Sequence, residues 1–113
     1  MAEQLYYDTA QAQWFVAEEE KIKESIEKLN YEIRDRGELN LYDIYAKINE
    51  DLPEGMKIGV NPICSNLWLE FDCPNDEEKS DYEPISLDAI TSYDGLPIIV
   101  LNFHEPRYRF EDL

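Results

Sequence analysis

The spacing of the apolar residues changes halfway along the chain, and this change constrains the fold more than any other feature. In the second half, apolar and polar residues alternate in "NLWLEFD" (66–72), which is the two-residue period of a half-buried strand. In the first half, apolar residues recur at intervals of three, four and seven, as on one face of a helix; they are Phe15, Ile22, Ile26, Leu29 and Ile33. Helices followed by strands predict an α+β fold.

The first predicted element is a long helix, to which residues 1–36 are assigned. Its pattern starts at Asp8 or Thr9, either of which can cap a helix, and it ends before Gly37, a typical residue just past a helix end. We expect its apolar face to be buried, with Trp14 in the core. The alternative for Trp14 is an interface patch with Tyr6 and Tyr7.

The outward face of this helix alternates acidic and basic residues in "EEEKIKESIEK" (18–28). Residues four apart on a helix are neighbours, so pairs such as Glu24 with Lys28 can form. We therefore expect a solvated helix face whose charges pair with each other.

A second, shorter helix is predicted over residues 40–50. Asn40 can cap it, and Leu41, Ile44, Tyr45 and Ile48 form one apolar stripe. Pro53 and Gly55 follow in "EDLPEG", where they disfavour a longer helix and predict a turn. Only "GEL" separates the two helices, which predicts a helical hairpin or corner.

The remaining strands are assigned to residues 57–104, as one small antiparallel sheet against which the two helices pack. "MKIGV" is the expected hairpin partner of "NLWLEFD", joined to it through "NPICS". "PIIVLNF" (97–103) is nearly all apolar, as in a central strand. "SYDGLP" supplies the turn before it, and "ISLDAI" (85–90) is the strand before that turn. At 113 residues we expect a single acidic domain.

Negative charge is concentrated in residues 64–95. They contain nine Asp and Glu residues and a single basic residue, Lys79, so their net charge is −8, half of the chain's −16. Within them, an acidic loop is predicted at 72–84, because Pro74 and Pro84 exclude the interior of a sheet. With only Lys79 nearby, the mutual repulsion of the carboxylates has no local relief. The predicted partner-binding residues are Glu70, Asp72, Asp76, Glu77, Glu78, Asp81, Tyr82 and Glu83.

Two interpretations of this charge are open. An acidic loop can simply keep a protein soluble. Alternatively, closely spaced carboxylates can imitate the phosphates of DNA, which carries one charge per about 1.7 Å of axis, and occupy a groove lined with Lys and Arg. In either case the net charge disfavours direct binding to nucleic acid or anionic membranes and favours basic proteins or cations as partners. The DNA-mimic interpretation predicts a basic nucleic-acid-binding protein as the partner.

Residues for catalysis are scarce. Cys64 and Cys73 lack the C-x-x-C spacing of a zinc or redox site and predict reduced thiols. His104 is the single histidine, and we expect it to be structural. We therefore expect no enzyme activity, no metal and no cofactor. The sequence has neither a signal peptide nor an apolar run that would span a membrane, which predicts a cytoplasmic protein.

Three segments, "RDRGELNLYDIY", "IGVN" and "YDGLPIIVLNFHEPRYRF", resemble a group of small acidic proteins of Gram-positive phages and mobile elements. The resemblance covers about two thirds of the chain and rests on structural motifs: an Arg-Gly step into a second helix, and an Asp-Gly-x-Pro turn into a strand near the C-terminus. It implies a phage or mobile-element origin. Acidic proteins of this kind include inhibitors of host defence, among them anti-CRISPR proteins that mimic DNA.

The sequence and this resemblance together predict a non-enzymatic anti-CRISPR-like inhibitor, monomeric or dimeric, that acts in the bacterial host cell as an acidic DNA mimic. Its predicted target is a basic nucleic-acid-binding defence protein, with a CRISPR effector nuclease as the leading candidate. The alternative is a virion or assembly accessory protein that oligomerises through its long helix. A third possibility is an antitoxin-like partner of a basic toxin.

Overall fold

The computed structural model describes residues 3–55, 57–72 and 82–111. Two helices pack against two β-sheets, so the predicted α+β class with a long and a short helix is confirmed. The elements, in chain order, are β1 Glu3–Asp8, β2 Gln13–Glu18, α1 Glu19–Arg36, β3 Glu38–Asn40, α2 Leu41–Asn49, a 3-10 helix Pro62–Asn66, β4 Leu67–Glu70, β5 Ile85–Thr91, β6 Pro97–Phe103 and β7 Arg107–Phe110.

The predicted start of the long helix is wrong, because the first 18 residues contain a β-hairpin. Asp8 ends β1, and its carboxylate accepts hydrogen bonds from the backbone N–H groups of Ala10 and Gln11 in the turn. An aspartate side chain caps such a turn in the same way as it caps a helix, so the capping signal at Asp8 was ambiguous. Helix α1 instead begins at Glu19, without a side-chain cap.

The predicted burial of Trp14 is also wrong. In β2, Phe15 and Ala17 point into the core, while Trp14, one residue out of phase, remains 56% exposed. Phe15 therefore belongs to a two-residue period and not to the helical stripe. The stripe itself is confirmed within α1, where Ile22, Ile26, Leu29 and Ile33 are all buried.

Both predicted helix ends near residues 37–40 are confirmed. Gly37 has a φ of 82°, and its N–H donates to Ile33 O at 2.7 Å, which is the left-handed arrangement that glycine adopts easily. Asn40 caps α2 by accepting a hydrogen bond from the N–H of Tyr42 at 2.9 Å. Helix α2 buries its whole predicted stripe: Leu41, Ile44, Tyr45 and Ile48.

The strands form two sheets instead of the single antiparallel sheet predicted. One sheet has the order β2-β1-β6-β5, in which β1 runs parallel to β6, and the other has the order β3-β4-β7 and is antiparallel. The predicted strands at 66–72, 85–90 and 97–103 are present as β4, β5 and β6. The added strands are β1, β2, β3 and β7.

The strand predicted in "MKIGV" is absent from the described residues 57–60. Ile58 is held by the end of α2 instead: its N–H donates to Asn49 Oδ1 at 2.7 Å, and its carbonyl accepts from Asn49 Nδ2 at 3.1 Å. The asparagine side chain thus takes the hydrogen bonds that a neighbouring strand would have made.

One contiguous apolar core joins the two sheets and the two helices. It includes Tyr6 and Phe15, whose rings stack with centroids 5.1 Å apart, together with Ile22 of α1, Tyr45 of α2 and Leu69 of β4. Neither helix in the described part of the chain has the length and apolar character needed to cross a membrane.

Candidate functional site

The acidic segment, residues 70–83, begins at the end of β4, and its first residues are attached to the scaffold. Phe71 is buried, and its N–H donates to Gly37 O at 2.9 Å. Because side chains alternate along an extended chain, burial of Phe71 turns its neighbours Glu70 and Asp72 towards the surface. Asp72 is exposed and Glu70 is half-buried.

At the other end of the segment, Tyr82 is half-buried and packs against the core. Its carbonyl accepts a hydrogen bond from Arg34 Nη1 at 2.8 Å. Glu83 is exposed, Pro84 is buried, and β5 then begins. Since Arg34 and Gly37 lie at the C-terminal end of α1, both ends of the acidic segment are attached to the same part of the scaffold.

Half of the predicted partner-binding residues can be located. Glu70, Asp72, Tyr82 and Glu83 lie at the two ends of the segment, as just described, whereas Asp76, Glu77, Glu78 and Asp81 lie outside the described residues, as does Cys73. The acidic loop predicted at 72–84 is thus described only at its two ends.

The expectation that these carboxylates face only Lys79 is wrong for Glu70 and Asp72. Arg107 of β7 pairs with Asp72 at 3.0 Å. Arg109 lies 2.6 Å from Glu38 and 3.6 Å from Glu70, and its guanidinium lies 5.4 Å from the centre of the Trp68 ring. Strand β7 therefore brings two cations to the carboxylates that the sequence left unpaired.

A sequence signal for this strand existed. "RYRF" (107–110) alternates arginine with aromatic residues, the two-residue period of a strand. The pairing of β7 with β4 aligns Glu70 with Arg107 and Trp68 with Arg109, so both arginines share one face of the sheet with Glu70. Among the predicted site residues that are described, Glu83 is the carboxylate without an ion pair to a described residue.

The outward face of α1 has the predicted self-paired charges. Lys28 pairs with Glu24 at 3.4 Å, as expected, and Lys23 pairs with Glu19 at 3.0 Å. Lys21 pairs with Glu18, just before the helix, at 3.5 Å. Exposed pairs of this kind contribute little to stability, but they neutralise this face locally.

His104 belongs to a hydrogen-bonded group with Ser86 and Asp88. Ser86 Oγ lies 2.6 Å from His104 Nε2 and donates to Asp88 Oδ2 at 2.9 Å. A serine nucleophile needs its single proton to point at the histidine, with the carboxylate on the far side of the imidazole. Here the Asp88 carboxylate contacts the serine hydroxyl and does not lie on the far side of the imidazole, so the arrangement differs from that of a nucleophilic triad.

Asp88 also accepts a hydrogen bond from Asn102 Nδ2 at 2.5 Å. This bond, with the one from Ser86, lowers the pKa of Asp88 below its usual value. The carboxylate is therefore held in its charged form at the surface of β5.

The thiol of Cys64 is buried, and burial raises its pKa, which disfavours the thiolate needed for a nucleophile. No cluster of three or more His, Cys, Asp or Glu side chains suited to a metal ion occurs within residues 3–55, 57–72 and 82–111.

Asp8 and Tyr45 form a buried hydrogen-bonded pair. Asp8 is fully buried and accepts a hydrogen bond from Tyr45 Oη at 2.6 Å. Burial raises the pKa of Asp8, and the hydrogen bonds from Tyr45 and from the turn oppose this change. Because its partners are the hairpin turn and α2, Asp8 connects these two elements rather than forming an open site.

Comparison with models of known protein families, with curated protein sequences and with solved structures found no match for this chain.

Proposed function

We propose that the protein is a non-enzymatic inhibitor that binds the DNA groove of a basic host defence protein by mimicking DNA. The supporting observation is the way the acidic segment is attached. Half of the net charge lies in residues 64–95, and both ends of the acidic segment within them are attached at the C-terminal end of α1. A fixed attachment lowers the entropy lost when the charges meet a partner.

The carboxylates that would contact a partner are Glu83 and, by sequence, Asp76, Glu77, Glu78 and Asp81. Glu70 and Asp72 contribute less, because Arg109 and Arg107 offset their charges. Tyr82 packs against the core, so its main role is to fix the return of the segment. The candidate target to test first is a CRISPR effector nuclease, in the cytoplasm of a bacterial host of phages or mobile elements.

The alternative of an assembly protein that oligomerises through its long helix has less support. The apolar stripe of α1 is occupied by the core, and its outward face is covered by the ion pairs of Lys21, Lys23 and Lys28. Neither face of α1 in the described chain offers the apolar seam that helix association needs.

A charge-neutralised variant tests the proposal. In it, Asp76, Glu77, Glu78 and Asp81 are replaced by Asn or Gln, and the partner is first identified by affinity purification from the bacterial host at low salt. Binding should weaken mainly through slower association, with a shallower dependence on salt. Unfolding stability should be unchanged or slightly higher, because like-charge repulsion is relieved.

The control variant carries the same change in net charge on the outward face of α1, where Glu20, Glu24, Glu27 and Glu32 are exposed and are replaced by Gln. Its association rate should decrease clearly less than that of the segment variant. The identified partner should also release the protein when DNA is added. Equal rates for the two variants, or no competition by DNA, would remove the case for mimicry.

A further inference from the structure

The four-stranded sheet has a second face, opposite the core, on which apolar side chains are aligned across the strands. Tyr7 is in register with Trp14 on one side and with Val100 on the other. The rings of Tyr7 and Trp14 lie 4.7 Å apart, at an interplanar angle of 56°. This row thus presents two aromatic rings and a β-branched residue next to each other.

A second apolar row lies beside the first on the same face. It consists of two registered pairs, Val16 with Leu5 and Ile90 with Ile98. Ile98 is only 6% exposed, although it does not belong to the core cluster, so it is buried by its neighbours on this face. We call these two rows the outer face.

Both helices lie on the opposite side of the sheet. The core cluster contains the buried apolar residues of α1 and α2 together with Tyr6, Phe15 and Leu101 of the inner face, and it includes no residue of the outer face. Within the described chain, the outer face therefore has no helix over it. Trp14 is 56% and Ile90 50% exposed, and Tyr93 and Leu96, at the nearby β5–β6 turn, are exposed as well.

The charged residues that the strands of the outer face themselves supply are all acidic. Residues 3–18 and 85–103, which form the sheet and its two tight turns, contain no lysine or arginine. Asp88 is in register with Val100 and so lies at the end of the first row, and Glu3 and Glu18 are paired beyond the second. Lys21 of α1 offsets Glu18, whereas Asp88 is kept charged by its hydrogen bonds.

We infer that the outer face binds a second protein that presents an apolar patch surrounded by lysine and arginine. An exposed apolar cluster that includes a tryptophan and a tyrosine and has carboxylates at its margin has the composition of a protein interface. A second copy of this chain is a poor occupant, because it would place carboxylates against carboxylates between two molecules of charge −16. This interface uses none of residues 70–83 and does not depend on the acidic segment.

A defined peptide can probe this chemistry. The probe is a synthetic helical peptide with leucines on one face and lysines on the other. Trp68→Phe leaves Trp14 as the single tryptophan reporter, and it removes no hydrogen bond because Trp68 Nε1 has no partner among the described residues. The expected result is a saturable blue shift of Trp14 fluorescence. The same peptide with serine in place of leucine should give none.

A matched pair of variants separates apolar contact from simple charge attraction. Ile90→Glu changes the outer face, and Ile63→Glu changes an isoleucine of nearly equal exposure, 51%, on the 3-10 helix. Charge alone predicts that both variants bind the basic peptide as tightly as the parent or more tightly. The outer-face interface predicts that only Ile90→Glu binds more weakly, by about tenfold, as when an apolar contact residue of an interface is replaced.

Circular dichroism and thermal melting establish that each variant is folded. If Ile90→Glu unfolds, Trp14→Ser takes its place, with binding followed by the anisotropy of a labelled peptide. The inference is overturned if the leucine–lysine peptide gives no saturable shift, or if both isoleucine variants bind alike. Sedimentation that shows a dimer, dissociated by Ile90→Glu, would overturn it by assigning the outer face to a second copy.

Discussion

Asn30 of α1 holds Ile85 with a matched pair of hydrogen bonds. Asn30 Nδ2 donates to Ile85 O at 2.9 Å, and the Ile85 N–H donates to Asn30 Oδ1 at 2.9 Å. Both residues are buried. A helix side chain thus replaces a neighbouring strand at the first residue of β5, directly after the acidic segment.

Replacing Asn30 with alanine should destabilise the fold by about 2–4 kcal/mol, because the buried N–H and C=O of Ile85 each lose their partner. Urea unfolding measures this change. Asn66→Ala is the control, since the Asn66 side chain makes no hydrogen bond within the described residues, and it should change stability by less than about 0.5 kcal/mol. Equal effects of the two substitutions would show that the Asn30 pair contributes nothing specific.

Ile26 tests the buried stripe of α1. It is 4% exposed within the core cluster, so Ile26→Asp should cost about 4 kcal/mol through lost packing and an unpaired buried charge. Tyr31→Asp is the control. It lies at an exposed position of the same helix and has a similar loss of helix propensity, but it places no charge in the core. Thermal melting of both variants isolates the difference, and an unchanged melting temperature for Ile26→Asp would show that the stripe is not buried.

Asp8 should make folding more favourable as the solution becomes acidic. Burial raises its pKa in the folded protein above the ordinary 3.8, so the folded state takes up this proton at a higher pH than the unfolded chain. Between these two pKa values the folded state binds more protons, and the contribution of Asp8 to stability increases as the pH falls. At neutral pH the buried charge has its full cost.

The measurement compares the wild type with Asp8→Asn by urea unfolding from about pH 7 to about pH 4, the range in which a raised carboxyl pKa acts. An asparagine at this position cannot titrate, so the difference in unfolding free energy between the two proteins isolates this group from the other carboxylates, including Asp88 with its lowered pKa. The wild type should gain relative to the variant as the pH falls. A constant difference, or one of opposite sign, would rule out a raised pKa.

The helices could be predicted because local signals determine them. The stripe in α1, the stop at Gly37 and the cap at Asn40 each depend on residues within a few positions of one another. The hairpin at the N-terminus was missed because its local signals are ambiguous. A capping aspartate at position 8 and an apolar residue at position 15 are compatible with a helix and equally with a strand that ends in a turn. What distinguishes them is the pairing of β1 with β6, about 90 residues away.

The ion pairs next to the acidic segment also join residues that are far apart in the sequence. Arg107 and Asp72 are 35 positions apart, and Arg109 and Glu38 are 71 positions apart. A count of charges along a window cannot include such partners. The asparagine pairs that replace strand neighbours at Ile58 and Ile85 have no sequence signature either, because they depend on where a helix packs.

Substitution of Arg107 tests the acidic surface by making it more negative, whereas the charge-neutralised variant makes it less negative. Arg107→Gln releases Asp72 from its 3.0 Å ion pair and makes the surface next to the segment more negative. If this surface binds a basic partner, association should become faster, by about twofold at low salt, and the gain should disappear as salt screens the charges.

The matched control is Lys23→Gln, which releases Glu19 from a pair of the same length on α1 and changes the net charge equally. Stopped-flow or surface-plasmon measurements with the purified partner should show the acceleration for Arg107→Gln and little change for Lys23→Gln. If the two variants associate at the same rate, the partner responds to the overall charge of the molecule and not to the surface next to Asp72.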